Sequence, residues 1–178
     1  MNDGVISVRY ARALLKSANE QKEEDNVYRD MMTLATSYLK VPQLKFTIDN
    51  PMLPKDKKKQ LLLTASGEKP SALTERFLDL VLQEDRESIL QFMANSYVTL
   101  YKQQKNVVSA KLITATTVTP ETEQKMRDMV ESRTKGNVEF NTEINPDIIG
   151  GFILEYDTYR LDASVQSHLR EILNNLKK

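Results

Sequence analysis

The stretch NPDIIGGFILEYDTYRLDASV, Asn145 to Val165, decides how the C-terminal part of this chain folds. Gly150-Gly151 opens an apolar, β-prone run, Phe152-Ile153-Leu154. A phosphate cradle needs glycines after a strand and before a helix, so that free helix amides face the anion. Here the order is reversed, and no Lys-Ser or Lys-Thr follows. The pair therefore reads as a backbone kink, or a site of close backbone approach, at the start of a buried strand. Phe152 to Glu155 and Tyr159 to Leu161 are expected to pair as a hairpin, with Asp157-Thr158 at its tight turn. Two-residue turns favour Asn-Gly or Asp-Gly because both central residues need positive φ, and no glycine stands there. Asp162 and Ser164 flank the start of the last helix, where either side chain can accept from orphan amides of the first turn. Val165, Leu169, Ile172, Leu173 and Leu176 continue that helix at helical spacing. As a catalytic carboxylate Asp162 would lack a partner acid, histidine or metal-ligand set, so the reading is a helix cap.

Composition narrows the function classes. The chain has 178 residues, enough for one domain or two small ones. Its 25 basic and 25 acidic residues cancel, which argues against a general nucleic-acid binder. With no Cys and one His, it offers no disulfide framework, no thiol nucleophile and no Cys/His zinc site. No catalytic, cofactor-binding or metal-binding residues are assigned. No apolar run approaches the roughly 20 residues that span a bilayer. The N-terminus enters an amphipathic helix almost at once, without a signal-type core. The expectation is a soluble cytoplasmic chain that meets a membrane only through a partner.

Outward from the Gly-Gly block, the chain changes character near Gln104 to Val107. Residues 1–105 are expected to form an all-α bundle of about five to six helices with short breaks. The helices are Val5 to Gln21, a second capped by Asp25 or Asn26, a third opened by Pro54 and ended by Gly67, a fourth opened by Pro70-Ser71, and a last from Arg86 to Gln104. In the fourth, Leu73, Phe77, Leu80 and Val81 are expected to face inward. VPQLKFTIDNPMLPKD reads as a Pro-rich connection with one short helical turn. Residues 106–178 read as a small α/β domain: a strand over Val107–Ile113, a helix from Thr119-Pro120 to Gly136, a strand over Val138–Ile144, then the hairpin and terminal helix. The fold class is therefore α+β in two domains.

Two helices carry more apolar surface than a single stripe requires. On Val5–Ala18 the apolar residues cover well over half of the circumference, leaving Arg9, Arg12, Lys16, Asn19 and Glu20 as a polar stripe. In Arg86–Gln104 the apolar residues from Ile89 to Tyr101 spread over a similar arc. Two readings are open. Both helices are central in the bundle, or each keeps a second face for a partner, as exposed apolar patches do. An amphipathic helix laid in a groove between two such helices is a standard recognition mode. Other candidates are plainer. Lys55, Lys57, Lys58 and Lys59 read as a solvated helix face, His168 as a solvated histidine, and the tyrosines as core or interface packing.

Three segments in order resemble the δ subunit of bacterial F-type ATP synthases, called the oligomycin-sensitivity-conferring protein in mitochondria. Val8-Arg9-Tyr10-Ala11-Arg12-Ala13-Leu14 is similar to the family's opening pattern. Asn50-Pro51 with Lys57-Lys58-Lys59 is similar to its middle segment, and Gly150-Gly151 with Asp162 and Ser164 to its C-terminal signature. The chain departs from the family at Asp157-Thr158, where members typically carry Gly-Asp. The resemblance implies a non-catalytic stator subunit, with no cofactor, one copy per complex, at the cytoplasmic face of the bacterial inner membrane. It implies that the helical domain binds the N-terminal helix of an α subunit in a groove between the first and fifth helices. By the count above these are Val5–Gln21 and Arg86–Gln104. The expected contacts are Tyr10, Ala13 and Leu14, with Ala94, Tyr97, Val98 and Tyr101 opposite. The C-terminal domain is expected to bind the C-terminal end of a b-type stalk subunit. The rival classes are a different binding module, such as a helical adaptor, and a small enzyme using the Gly-Gly turn.

Overall fold

A computed structural model describes residues 3–134, 137–156 and 158–176. The chain divides into two compact units, Met1–Gln104 and Lys105–Lys178. The first holds α1 (Asp3–Gln21), α2 (Glu24–Lys40), α3 (Pro42–Ile48), α4 (Lys55–Ser66), α5 (Ala72–Gln83), a 3-10 turn at Glu87–Ile89, and α6 (Leu90–Lys105), whose last residue crosses the division. The second holds β1 (Val107–Thr114), α7 (Pro120–Thr134), β2 (Asn137–Ile144), a 3-10 turn at Pro146–Ile148, β3 (Gly151–Tyr156), β4 (Tyr159–Ser164) and α8 (Val165–Leu176). This is the α+β class that the patterning predicts.

Local chemistry sets most helix ends. Pro42 occupies the first turn of α3, where its missing N–H costs nothing. Ser71 caps α5, its hydroxyl accepting from the Thr74 amide at 3.1 Å. Gly67 ends α4 at φ +127°, a conformation that side chains with a Cβ rarely adopt. Three expectations shift. The Pro-rich connection holds a full helix, α3, and not a single turn. The α2 cap is Glu23, which makes no side-chain cap bond, so Asp25 lies inside the first turn and favours the helix dipole there instead. Pro54 sits one position earlier than expected, at the cap of α4. Gly136 and Asp157, expected at a helix end and at the hairpin turn, lie outside the described residues.

The bundle core is a continuous cluster that includes Met31, Leu34, Leu62, Leu78, Leu90, Met93 and Tyr97, all fully buried. Asp30 is buried beside it. Its Oδ2 accepts from the Ser71 amide at 2.8 Å and from the Thr74 hydroxyl at 2.7 Å, which ties the start of α5 to the middle of α2.

In the second unit the strands lie in the order β2-β1-β3-β4. β1 and β2 run parallel with α7 between them in sequence, while β1–β3 and β3–β4 are antiparallel. Alternation in β1 buries Ala110, Leu112 and Thr114. Ala110 and Leu112 pack with Val130 of α7, Val138 and Leu154, and Met126, Met129 and Phe140 are half-buried around them. The register sets Gly151 against Ser164 and Tyr156 against Tyr159, whose rings stack with centroids 5.6 Å apart across the hairpin end.

Candidate docking sites

α1 buries one face in the core: Ser7, Ala11, Leu14, Leu15 and Ala18. The adjoining face meets α5 in an open groove of about 390 Å³, with Tyr10, Ala13 and Leu14 on one wall and Leu73, Phe77 and Leu80 on the other. The Tyr10 and Phe77 rings meet edge to face at 6.4 Å, which fixes the floor. Arg86 stacks its guanidinium 5.4 Å from the Tyr10 ring centroid. Leu80, expected to face inward, is 46% exposed in this groove, whereas Leu73, Phe77 and Val81 are buried. On α5 the apolar residues from Leu73 to Leu82 cover roughly 200° at about 100° per residue, well beyond one stripe. α5 is thus a two-faced helix beyond the two singled out from sequence, and the same wheel count finds it.

The residues expected on the other wall belong elsewhere. Ala94 and Tyr97 are fully buried, so they are core residues and not contacts for a partner. Burial, then the nearby Glu24 carboxylate, pushes the Tyr97 phenol well above its ordinary value, and its hydroxyl donates to the Glu24 carbonyl at 3.3 Å. Tyr101 stacks on Tyr28 at 4.1 Å and donates to Asp25 at 2.7 Å. Val98 is half-buried against the core. On one side α6 is packed by tyrosines onto α2, and on another its exposed Phe92 and half-buried Leu100 line a second open groove with Val8 of α1. Because α3 counts as a helix, α6 is the sixth of the bundle and α5 the fifth. None of the four α6 residues lines the α1–α5 groove.

The lysine run is a solvated face only in part, since Lys57 is exposed as expected while the other three are paired. Lys55 pairs with Asp85 at 2.7 Å, and Lys59 bridges Glu75 at 2.9 Å and Asp79 at 2.8 Å. Lys58 is buried against Glu87 at 2.6 Å. Lys59 thus stitches α4 to α5, and Lys58 stitches it to the turn before α6.

In the second unit, Gly151 sits at a close backbone approach, as read, while Gly150 beside it meets only the Val165 side chain. Gly151 has φ +73°, and Ile149, two residues before it, holds φ +69°, a costly state for a β-branched residue. The Gly150 carbonyl accepts the first amide of α8, Val165, at 3.0 Å. Ser164 ends β4 and caps α8, its hydroxyl accepting from the Ser167 amide at 3.2 Å. Asp162 lies within β4 and braces that cap. Its Oδ1 accepts from the Ser164 amide at 3.0 Å and the Ser164 hydroxyl at 2.6 Å, and its Oδ2 from the Ser167 hydroxyl at 2.9 Å. The Ser164 bonds, chiefly, hold the Asp162 carboxyl below its ordinary value.

That module presents α8 with its apolar stripe uncovered. Val165, Leu169, Ile172, Leu173 and Leu176 fall within roughly 100° of the helix, and all five are exposed. No residue of α8 is buried, and His168 is exposed beside the stripe. An uncovered stripe of this kind marks a binding face. Among the described residues no acidic, His or Cys group is arranged to hold a metal ion, and no helix is long and apolar enough to cross a membrane.

An apolar groove on a helical bundle and an uncovered helix on a small α/β unit define a docking protein. A family model described as the ATP synthase delta (OSCP) subunit matches residues 6–176. Among curated relatives, the ATP synthase subunit delta of Phocaeicola vulgatus is 46% identical over 170 residues, covering 95% of this chain and 92% of that protein. That of Bacteroides fragilis is 38% identical over 174 residues, with 97% and 94% covered. A chain in the cryo-EM structure of the Toxoplasma gondii mitochondrial ATP synthase hexamer shares the fold, with TM-score 0.67, 18% identity and 97% of each chain covered. The chain belongs to the ATP synthase delta (OSCP) subunit family. It is a non-catalytic linking subunit of the stator, or peripheral stalk, of ATP synthase.

Proposed function

We propose that the two units divide the linking task. The bundle, residues 1–105, holds the N-terminal helix of an α subunit of the catalytic head. Residues 106–178 hold the C-terminal end of a b-type stalk subunit. The observation that carries the first half is the α1–α5 groove, open between the first and fifth helices and lined by Tyr10, Ala13 and Leu14. Leu73, Phe77 and Leu80 replace the α6 residues as the opposite wall. The second half rests on the exposed stripe of α8. Gly150, Gly151, Asp162 and Ser164 serve it indirectly, by fixing where α8 leaves the sheet. One copy per complex, at the cytoplasmic face of the bacterial inner membrane and in contact with the membrane only through partners, completes the reading. A stator resists torque, so both interfaces need slow dissociation.

The test titrates the full chain with a peptide copying the N-terminal helix of the α subunit. Leu80→Asp and Ala13→Glu sit on exposed wall positions, so the fold survives and affinity falls more than about tenfold. Leu169→Asp and Ile172→Asp instead abolish binding of a fragment copying the C-terminal end of the b-type stalk protein, and leave the α peptide bound. Absence of heat and of chemical-shift change with the unsubstituted chain at high peptide concentration sinks the reading.

A further inference from the structure

The groove on α1 and α5 is apolar at its floor and cationic at both margins. Arg9 lines the α1 wall and Arg76 the α5 wall. Arg12 and Lys16 continue the α1 margin at helical spacing from Arg9 and line the shallow recess beside it. All four are exposed, and none has an ion-pair partner among the described residues. The acids of α5 do not compensate them, because Glu75 and Asp79 are drawn to Lys59 of α4. In a chain with 25 acidic and 25 basic residues, this is a local excess and not a general one.

Resting on the reading of this groove as a helix-binding site, we propose that its arginines select the occupant: an amphipathic helix with carboxylates along both edges of its apolar stripe. Arg9 grips one edge and Arg76 the other. The floor supplies affinity through apolar burial, and the margins supply register and discrimination. Guanidinium forks match carboxylates in a way that a neutral edge cannot, and a cationic edge meets like charge on both walls. The four exposed cations also attract an acidic helix before contact, raising its association rate at low salt. A nucleic acid would satisfy the arginines but has no apolar stripe for Tyr10, Phe77 and Leu80.

The experiment uses the full chain and three synthetic amphipathic peptides with one common Leu/Ala stripe, flanked by Glu, by Gln or by Lys. The Glu peptide binds about tenfold tighter than the Gln peptide at low salt, and the gap closes to about twofold once the Debye length falls to about 4 Å. The Lys peptide binds weakest. Joint substitution Arg9→Gln with Arg76→Gln lowers the preference to about twofold, the part that Arg12 and Lys16 still supply. Equal binding of Glu and Gln peptides to the unsubstituted chain, or a preference undiminished by the double substitution, overturns the proposal. The peptide copying the N-terminal helix of the α subunit separates the two levels. If it binds, but independently of salt and of both arginines, only the charge selection fails. If it does not bind the unsubstituted chain, the reading of the groove fails as well.

Discussion

A Cβ placed on Gly151 would lie 2.1 Å from the carbonyl oxygen of Ala163. The two residues lie diagonally across the β3–β4 ladder, where Gly151 pairs with Ser164 and Ala163 with Phe152. Gly151 also holds φ +73°, so a side chain would be strained even with space. Gly151→Ala should therefore cost about 2–4 kcal/mol of stability in the second unit. Gly150→Ala meets only the Val165 side chain, with Cγ2 at 3.2 Å, and should cost under about 1 kcal/mol. Urea titration followed by NMR signals from β3 and β4 checks both. Equal effects at the two positions would refute the steric account.

Asp162 makes the cap of α8 dependent on pH. Its folded value lies below the ordinary 3.8, so its bonds to Ser164 and Ser167 stabilise the fold at any pH above that value. The contribution is lost as pH falls through the lowered folded value. Asp162→Asn should be less stable than the parent at neutral pH, with the difference vanishing in acid below 3.8. Ser164→Ala should cost about 1 kcal/mol by leaving the Ser167 amide without its acceptor. Denaturation midpoints across a pH series measure both.

Asp30 anchors the wall of the groove without touching it. One carboxylate oxygen serves both the Ser71 amide and the Thr74 hydroxyl in a buried setting. Asp30→Ala leaves both donors without that acceptor and should cost about 2–3 kcal/mol. Faster hydrogen exchange at the start of α5, together with weaker α-peptide binding, is the expected pattern. Unchanged exchange there would contradict it.

Lys58 and Glu87 form a buried ion pair in the bundle, with side chains 5% and 13% exposed. Glu87 Oε2 has no hydrogen-bond partner, so the carboxylate is held by Lys58 through Oε1. Lys58→Met should cost about 3–5 kcal/mol, because it strands a buried carboxylate. Adding Glu87→Leu should recover more than half of that loss, since an apolar pair removes the desolvation cost. A double-mutant cycle in urea reads the coupling, and additive effects would show the pair to be independent.

The readable parts of this fold are those written in local chemistry. The reversed order of Gly150-Gly151 and the strand after it excluded a phosphate loop. Ser71, Gly67 and Ser164 announced helix ends through bonds within a few residues of themselves. The stripe from Val165 to Leu176 was visible at helical spacing, but its exposure was not, because a wheel shows where apolar residues lie and not what covers them. α3 was half-hidden, since its seven residues carry one buried side chain, Ile48, and too little periodicity to stand out.

The α1–α5 groove shows the boundary between the two kinds of information. Backbone stereochemistry, caps and periodicity act over a few residues, so the order of helices and strands, the glycine kink and the two-faced character of α1 can be read from the chain alone. Periodicity measures the width of an apolar arc but carries no phase. Ala94 and Tyr97 on α6 therefore looked as available as Tyr10 and Ala13 on α1. Packing sets that phase: α2 covers α6 through Tyr28 and Asp25, while the face between Tyr10 and Phe77 remains open. Which helix supplies the second wall depends on contacts between residues far apart in sequence, and those exist only once the bundle has closed.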